Sequence, residues 1–164
     1  VGAVLLGQPI NGLKDSKQLT KTQRQKLDLL IRKCAKFVGL GWVEAAEVDS
    51  IGLTNAITLA CKRAIEHVPA GYDIIIDGNI NFLKDVPRTS SLIRGDQLIP
   101  SIAAASIVAK VARDEYMEKL SEKYPGYGFA EHVGYGTAKH LSVLNEKGPT
   151  NIHRLSFKPV QAVS

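Results

Sequence analysis

Two aspartates stand out because each belongs to a segment that is predicted to be rigid. Asp77 comes directly after the apolar run 74–76, which is typical of a β-strand covered on both faces and therefore of a sheet centre. Ligands of α/β proteins collect at the carboxyl ends of such strands, so Asp77 is a candidate metal ligand. Gly78 and Asn79 follow it, and the alternative is that Asp77 only forms the turn after the strand.

The second aspartate, Asp114, lies on the apolar face of a helix predicted over about 101–123. An unpaired charge on that face would cost several kcal/mol, so a divalent cation or a basic side chain such as Lys110 must compensate it. The residues that share its face lie three or four positions apart: Ala103, Ile107, Val111 and Met117. The two carboxylates together suggest a metal-dependent nuclease, although a two-metal site usually needs more than two.

The positive charge of the chain is concentrated near its start. The formal net charge is +5, and residues 1–40 hold eight Lys or Arg against two Asp. This distribution predicts a contact surface for a polyanion, although a solvated basic helix would look the same. In the loop 12–17, Lys14, Ser16 and Lys17 are candidates for phosphate binding, or else they only solvate the loop.

An aromatic residue between two glycines marks a third candidate position. Tyr135 stands between Gly134 and Gly136 on a predicted turn that leads into a helix. Glycines let a backbone approach a ligand closely, and an aromatic ring can stack on a sugar or a base. The alternative for Tyr135 is simple packing.

The order of predicted elements indicates the fold class. Strands are predicted at 1–6, 37–43, 74–76 and 91–93, and helices follow Thr20 and span 47–67, 101–123 and 137–146. Thr20 and Gln23 predict a capping box, with Leu27, Leu30, Ile31 and Cys34 facing the core and the basic residues facing outward. Alternating strands and helices predict a three-layer α/β fold, and residues 1–164 are predicted to form a single domain.

Several other classes of site lack support. Cys34 and Cys61 have no CxxC neighbour, which favours a reducing cytoplasm, and no segment has the length of a membrane span or the pattern of a signal peptide. The four histidines show no metal-ligand spacing, and we expect a structural role for each: His67, His132, His140 and His153. No nucleotide-binding, zincin or serine-hydrolase motif is present.

Six segments in combination resemble bacterial ribonuclease HII over nearly the whole chain. They are GLKDSKQLT (12–20), EVDSIGLTNAITLACKRAI (47–65), IIIDGN (74–79), RGDQLIPSIAAASIVAKVARD (94–114), YPGYGFAEHVGYGTAKH (124–140) and GPTNIHRLSFKPV (148–160). The resemblance implies an RNase H-like fold, with a mixed five-stranded central sheet flanked by helices and a small helical C-terminal segment. It also implies a cytoplasmic, monomeric enzyme of DNA replication and repair. Such an enzyme uses Mg²⁺ or Mn²⁺ to cleave RNA in RNA–DNA hybrids. It also incises 5′ to single ribonucleotides embedded in duplex DNA, leaving a 3′-hydroxyl and a 5′-phosphate.

Residue roles follow from the same resemblance. Asp77 and Asp114 match two of the family's four metal-binding catalytic carboxylates, and Tyr135 matches the tyrosine that stacks on the sugar at the RNA–DNA junction. Two departures are Arg94, where the family usually has Lys, and Val133, where Lys often occurs. The family's Asp-Glu pair and its Gly-Arg-Gly motif lie on the central strand and should precede residue 1. We therefore expect an N-terminally incomplete chain that is inactive and poorly folded alone.

Two other functions remain open at this stage. The first is a non-catalytic nucleic-acid-binding module that keeps the basic helix and Tyr135. The second is another nuclease of the same fold that acts on branched DNA.

Overall fold

The computed structural model describes residues 1–163, which combine four strands with eight α-helices. The strands are β1 (Gly2–Leu6), β2 (Ala35–Leu40), β3 (Ile74–Asp77) and β4 (Thr89–Leu92). The helices are α1 (Lys21–Cys34), α2 (Ala45–Ile51), α3 (Leu53–Ile65), α4 (Gly95–Leu98), α5 (Pro100–Lys123), α6 (Phe129–His132), α7 (Ala138–Lys147) and α8 (Lys158–Gln161). Within these residues no helix combines the length and the apolar character that crossing a membrane would require.

The chain divides into two compact units, and the prediction of a single domain stays a prediction. The first unit comprises Val1–Trp42 and Ile57–Val111, and the second comprises Val43–Ala56 and the chain from Ala112 on. The core of the first unit consists of Ile10, Leu19, Ile31, Ala104, Ile107, Val108 and Val111. The core of the second consists of Met117, Tyr127, Phe129, Leu144 and Val160.

Helix α1 begins at the capping box that the sequence predicts. The Thr20 hydroxyl accepts a hydrogen bond from the Gln23 amide at 3.2 Å, and the Gln23 side chain accepts one from the Thr20 amide at 2.8 Å. The predicted inner face is wrong in one position, because Leu30 is 41% exposed. The buried arc is rotated toward Asp28, whose carboxylate accepts a hydrogen bond from Arg32 at 2.8 Å.

The helix predicted over 47–67 is in fact two helices. Gly52 ends α2 with φ 77 and ψ 159, a conformation that is essentially restricted to glycine. The apolar pattern continues across this break, which is why it indicates one helix. Ile51, the last residue of α2, is 37% exposed.

The strands form two separate pairs among the described residues. Strand β1 pairs with β2 in antiparallel orientation, and β3 pairs with β4 in parallel orientation. The prediction that 74–76 is a covered strand at a sheet centre is therefore wrong for these residues, because β3 has a partner on one side only and Ile75 is 37% exposed. A single five-stranded sheet is likewise absent from residues 1–163.

An apolar cavity of about 430 Å³ lies in the first unit, and both β1 and β3 line it. Its wall includes Leu5 and Ile75 from these strands, Cys61 from α3, and Ile102 and Ala105 from α5. Burial in this environment raises the pKa of the Cys61 thiol. The cavity thus borders one strand of each pair. Within the described part of the chain, each of these strands is hydrogen-bonded to a neighbour on one side only.

Glycines allow α3 to pack directly on β2 and its extension. A Cβ atom on Gly39 would overlap the carbonyl oxygen of Ala64, and one on Gly41 would overlap that of Ala60. The obstacle is helix backbone in both cases, so it cannot move aside as a flexible side chain could. The alternation of glycines at 39 and 41 is therefore a packing requirement.

We predict that Gly41→Ala destabilises the protein by about 3 kcal/mol, at the upper end of the cost of overpacking, because the added methyl meets backbone. Gly136→Ala is the matched control, since a Cβ at Gly136 meets nothing within 4 Å. The measurement is the free energy of unfolding in urea for both variants. Equal midpoints for the two would contradict this account of the strand–helix contact.

Candidate metal ligands and nucleic-acid interface

Asp77 is the last residue of β3, and its exposed carboxylate is held in place by a backbone amide. Its Oδ1 accepts a hydrogen bond from the Gly95 amide at 2.9 Å. The parallel register pairs Asp77 with Leu92, and Arg94 in the left-handed conformation (φ 57) then turns the chain into α4. The hydrogen bond uses one carboxylate oxygen and leaves Oδ2 for a ligand. Asp77 therefore does more than form a turn.

Asp114 is half-buried on α5, in the stripe that the sequence predicts. The apolar members of that stripe are each at most 4% exposed: Ala103, Ile107, Val111 and Met117. The carboxylate thus projects from a rigid helix close to a buried face.

The residues present fit only part of a metal site. Aspartate oxygens are the ligands that Mg²⁺ and Mn²⁺ prefer. Across residues 1–163, however, no group of three or more His, Cys, Asp or Glu is arranged to hold a metal ion. Asp77, in the first unit, and Asp114, in the second, are each a ligand of the right chemistry, and neither belongs to a complete metal site within residues 1–163.

Asp49 is an acidic residue of the second unit whose oxygens already have partners. Its carboxylate accepts hydrogen bonds from the amides of Leu155 and Ser156, at 2.7 and 3.0 Å, and from the Ser156 hydroxyl. The hydrogen bonds from Ser156 lower the pKa of Asp49. This side chain ties the C-terminal segment to α2, a role that the sequence analysis did not identify.

The loop 12–17 has a buried anchor and an exposed basic surface. Lys14 and Lys17 are exposed, whereas Ser16 is buried and its hydroxyl lies 2.8 Å from that of Ser106 on α5. The Arg24 guanidinium donates a hydrogen bond to the Ser16 carbonyl at 3.2 Å. From the sequence alone, Arg24 is one of the eight basic residues of 1–40 and has no individual role. Because the Ser16 hydroxyl has a partner inside the protein, Ser16 holds the loop while the two lysines face solvent.

Tyr135 lies at the tip of an exposed turn, with 66% of its surface accessible. The backbone before it is unusual, because Val133 (φ 45) and Gly134 (φ 83) both have left-handed conformations. Such a conformation is strained for a β-branched residue. The Arg113 guanidinium donates a hydrogen bond to the Val133 carbonyl at 3.3 Å, which helps to hold the turn.

Three of the four histidines form a buried cluster beneath this turn. His132, His140 and His153 are 5–7% exposed, and the rings of His132 and His140 stack with centroids 4.2 Å apart. The His140 and His153 Nε2 atoms lie 3.2 Å apart. The expected structural role agrees with this burial. No local pattern indicates the cluster, because its members come from separate parts of the chain.

The cluster contacts the backbone on either side of Tyr135. His140 Nδ1 lies 3.0 Å from the Tyr135 carbonyl oxygen, and the Gly134 amide donates a hydrogen bond to His132 Nδ1 at 3.2 Å. Burial lowers the pKa of His140 and of His153, and the neighbouring His140 lowers that of His153 further. Both rings are therefore neutral at pH 7.

Comparison with known proteins gives matches over almost the whole chain. The sequence model of one family, described as Ribonuclease HII, matches residues 9–160. A protein of Nitrosococcus oceani named Ribonuclease HII is 46% identical over 162 residues, which cover 98% of this chain and 81% of that protein.

Solved structures give the same fold. The crystal structure of the ribonuclease H2 from Pyrococcus horikoshii aligns with a TM-score of 0.76 and 24% identity, covering 93% of this chain and 80% of that one. The crystal structure of Bst-RNase HIII in complex with Mn²⁺ aligns with a TM-score of 0.63 and 21% identity, covering 93% and 57%. The prediction of an RNase H-like α/β fold is thereby confirmed.

We predict that the histidine cluster makes the protein sensitive to mild acid. The pKa values of His140 and His153 are lower in the folded state than the unperturbed value of about 6.5. The unfolded state therefore binds protons first. The stabilisation is complete above about pH 6.5, and it falls below that pH by up to about 1.4 kcal/mol per pH unit for each proton.

Urea unfolding between pH 7.5 and 5 tests this prediction. His153→Asn should flatten the pH dependence, whereas His67→Asn, at an exposed position, should leave it unchanged. An identical slope in the unmodified protein and in His153→Asn would refute the assignment.

Proposed function

The chain belongs to the ribonuclease HII family, and we propose that it is a metal-dependent endonuclease that cleaves RNA in RNA–DNA hybrids and incises duplex DNA 5′ to single embedded ribonucleotides. The observation that carries this proposal is the family match over residues 9–160, together with 46% identity to a protein named Ribonuclease HII. The cleavage leaves a 3′-hydroxyl and a 5′-phosphate.

Asp77 and Asp114 are the proposed catalytic metal ligands, for Mg²⁺ or Mn²⁺. Two features support this assignment: the Gly95 amide fixes the orientation of the Asp77 carboxylate, and α5 gives Asp114 a rigid base. The related fold of Bst-RNase HIII, solved in complex with Mn²⁺, agrees with a divalent cation. Divalent ions held by these carboxylates would supply the Lewis acidity that activates a water molecule and stabilises the leaving oxygen.

Tyr135, Lys14 and Lys17 are the proposed substrate contacts. The exposed Tyr135 ring offers a face for stacking on a sugar or a base. Lys14 and Lys17 project from a loop that Ser16 anchors, so they present positive charge to phosphates at a fixed place.

We also propose that a further strand occupies the cavity between β1 and β3. The cavity is apolar, about 430 Å³ in volume, and bordered by one strand of each pair. A strand placed there would join the two pairs into one mixed five-stranded sheet. The resemblance implies that this strand carries an Asp-Glu pair, and Asp77 is among the residues that line the cavity.

A non-catalytic nucleic-acid-binding module is the second candidate. One observation favours it, namely that residues 1–163 contain no cluster of three or more metal-ligating side chains. Parallel assays of hybrid binding and of Mn²⁺-dependent cleavage distinguish the two candidates. Dependence of cleavage on a single 2′-hydroxyl distinguishes the proposed activity from that of a nuclease for branched DNA.

We predict that Asp77→Asn or Asp114→Asn in the full-length protein lowers the cleavage rate by about two orders of magnitude or more, because a metal ligand loses its charge. Asp85→Asn, at an exposed position outside the proposed site, is the control. The readout is single-turnover cleavage of a duplex with one ribonucleotide, with circular dichroism to verify folding. Near-normal turnover at saturating Mg²⁺ or Mn²⁺ would make the carboxylate structural.

We predict that residues 1–164 alone are inactive and unfold without cooperativity, and that a segment added before residue 1, with a strand bearing Asp-Glu and Gly-Arg-Gly, restores both properties. Each buried backbone group without a partner costs about 1–3 kcal/mol, against a total stability of only ~5–15 kcal/mol. Thermal melting and cleavage assays on the two lengths provide the test. A cooperative melt together with metal-dependent cleavage by residues 1–164 would disprove the strand proposal.

A further inference from the structure

The hydrogen bonds of the histidine cluster determine which ring nitrogens carry protons. A carbonyl oxygen can only accept, so the contact with the Tyr135 carbonyl places a proton on His140 Nδ1. His140 Nε2 is then an acceptor, and the proton in the 3.2 Å contact belongs to His153 Nε2. His153 Nδ1 is left as an acceptor, and the Thr150 amide donates a hydrogen bond to it at 2.9 Å. Each assignment agrees with the next.

His132 also has a single neutral tautomer, but its hydrogen-bond partners are different. Its Nε2 lies 2.7 Å from the Tyr127 carbonyl oxygen and must donate to it. Its Nδ1 is therefore an acceptor, and it receives the hydrogen bond from the Gly134 amide. All three rings are thus neutral, each with one defined tautomer.

We propose that His132 and His140 are positioning residues, which hold the turn of Gly134 to Gly136, and with it Tyr135, through a network that forms only when His132, His140 and His153 are all neutral. The proposal rests on the proposed function in one respect, namely that Tyr135 contacts nucleic acid. His132 accepts from the amide just before Tyr135, and His140 donates to the carbonyl of Tyr135 itself. The backbone that carries the exposed ring is therefore held on both sides of the Tyr135 side chain.

The strain in the turn explains why these bonds are needed. A β-branched residue at φ 45, as at Val133, persists only where surrounding contacts hold it. The Arg113 bond to the Val133 carbonyl holds one side, and the histidine bonds hold the other. The amide and carbonyl of Tyr135 also have backbone partners, in His132 and Thr137, so loss of the histidine side-chain contacts loosens the turn without unfolding it.

Protonation removes these contacts directly. A second proton on His132 would point an N–H group at the Gly134 amide, and one on His140 or His153 would set two N–H groups against each other. Four of the neighbouring charged side chains are basic and oppose an imidazolium: Arg113, Lys139, Lys147 and Arg154. The fifth, Glu131, attracts a positive charge on His132 but is itself paired with Lys139.

Asparagine and glutamine variants at one position separate positioning from packing, because their amide groups replace Nδ1 and Nε2 respectively. His132→Asn retains an acceptor for the Gly134 amide, whereas His132→Gln retains only the contact with Tyr127. His140→Asn likewise retains a donor to the Tyr135 carbonyl, and His140→Gln does not. Both members of each pair lose the aromatic ring, and Asn is one methylene smaller than Gln. A packing defect alone would therefore make the Asn variant the worse of the two, which is the opposite of the order expected from positioning.

The experiment uses the full-length protein at pH 7. Hydrogen exchange of the Gly134 amide is measured without nucleic acid, and the Kd for a duplex with one embedded ribonucleotide is measured in EDTA, which prevents cleavage. We expect exchange of the Gly134 amide to be about threefold to tenfold faster in His132→Gln than in His132→Asn, which is the range given by one hydrogen bond. The Kd of His132→Gln should be larger by a similar factor, and so closer to the Kd of Tyr135→Ala. The His140 pair should behave in the same way.

Imidazole ¹⁵N shifts of the unmodified protein give a second test that needs no variant. The pattern expected is Nδ1–H for His140 and Nε2–H for His132 and His153; any other pattern overturns the proposal. Equal Gly134 exchange in the Asn and Gln variants also overturns it. If Tyr135→Ala leaves the Kd unchanged, the nucleic-acid contact fails, while an exchange difference still supports the positioning of the turn.

Discussion

Backbone pairing along β1 and β3 is the constraint on which the rest of the first unit depends. Among residues 1–163 each strand has a hydrogen-bonded neighbour on one side only, and both strands border the same apolar cavity. Backbone amides and carbonyls that are buried without hydrogen-bond partners destabilise a protein, so a stable fold has to provide partners for them. The position of Asp77 follows from the same pairing, because the register with β4 brings Gly95 to its carboxylate.

Local sequence signals predict the helices well. The capping box at Thr20 and the apolar stripe up to Met117 are both present, and α5 ends at Lys123 as expected. These features depend on residues three or four positions apart. The break at Gly52 was not predicted, because a glycine costs a helix only about 1 kcal/mol and the apolar pattern continues past it.

Local sequence patterns do not predict which strands pair with each other or which residues surround the site. The run 74–76 has the composition of a covered strand, yet composition does not say which strands lie beside it. The contact of Ser16 with Ser106, 90 residues away, and the histidine cluster depend on tertiary packing. The two proposed metal ligands and Tyr135 could be named from the sequence, whereas the groups that hold Asp77 and Tyr135 in place could not.

The His153 ring connects two parts of the second unit that are separate in sequence. Its ring bridges Thr150, in the segment after α7, and His140, which bonds the Tyr135 carbonyl. A displacement of the chain around Thr150 would thus break the same series of contacts that ends at the exposed aromatic ring. The C-terminal segment and the turn are therefore connected through two imidazole rings, and a change in the position of either ring alters the hydrogen bonds available to both segments.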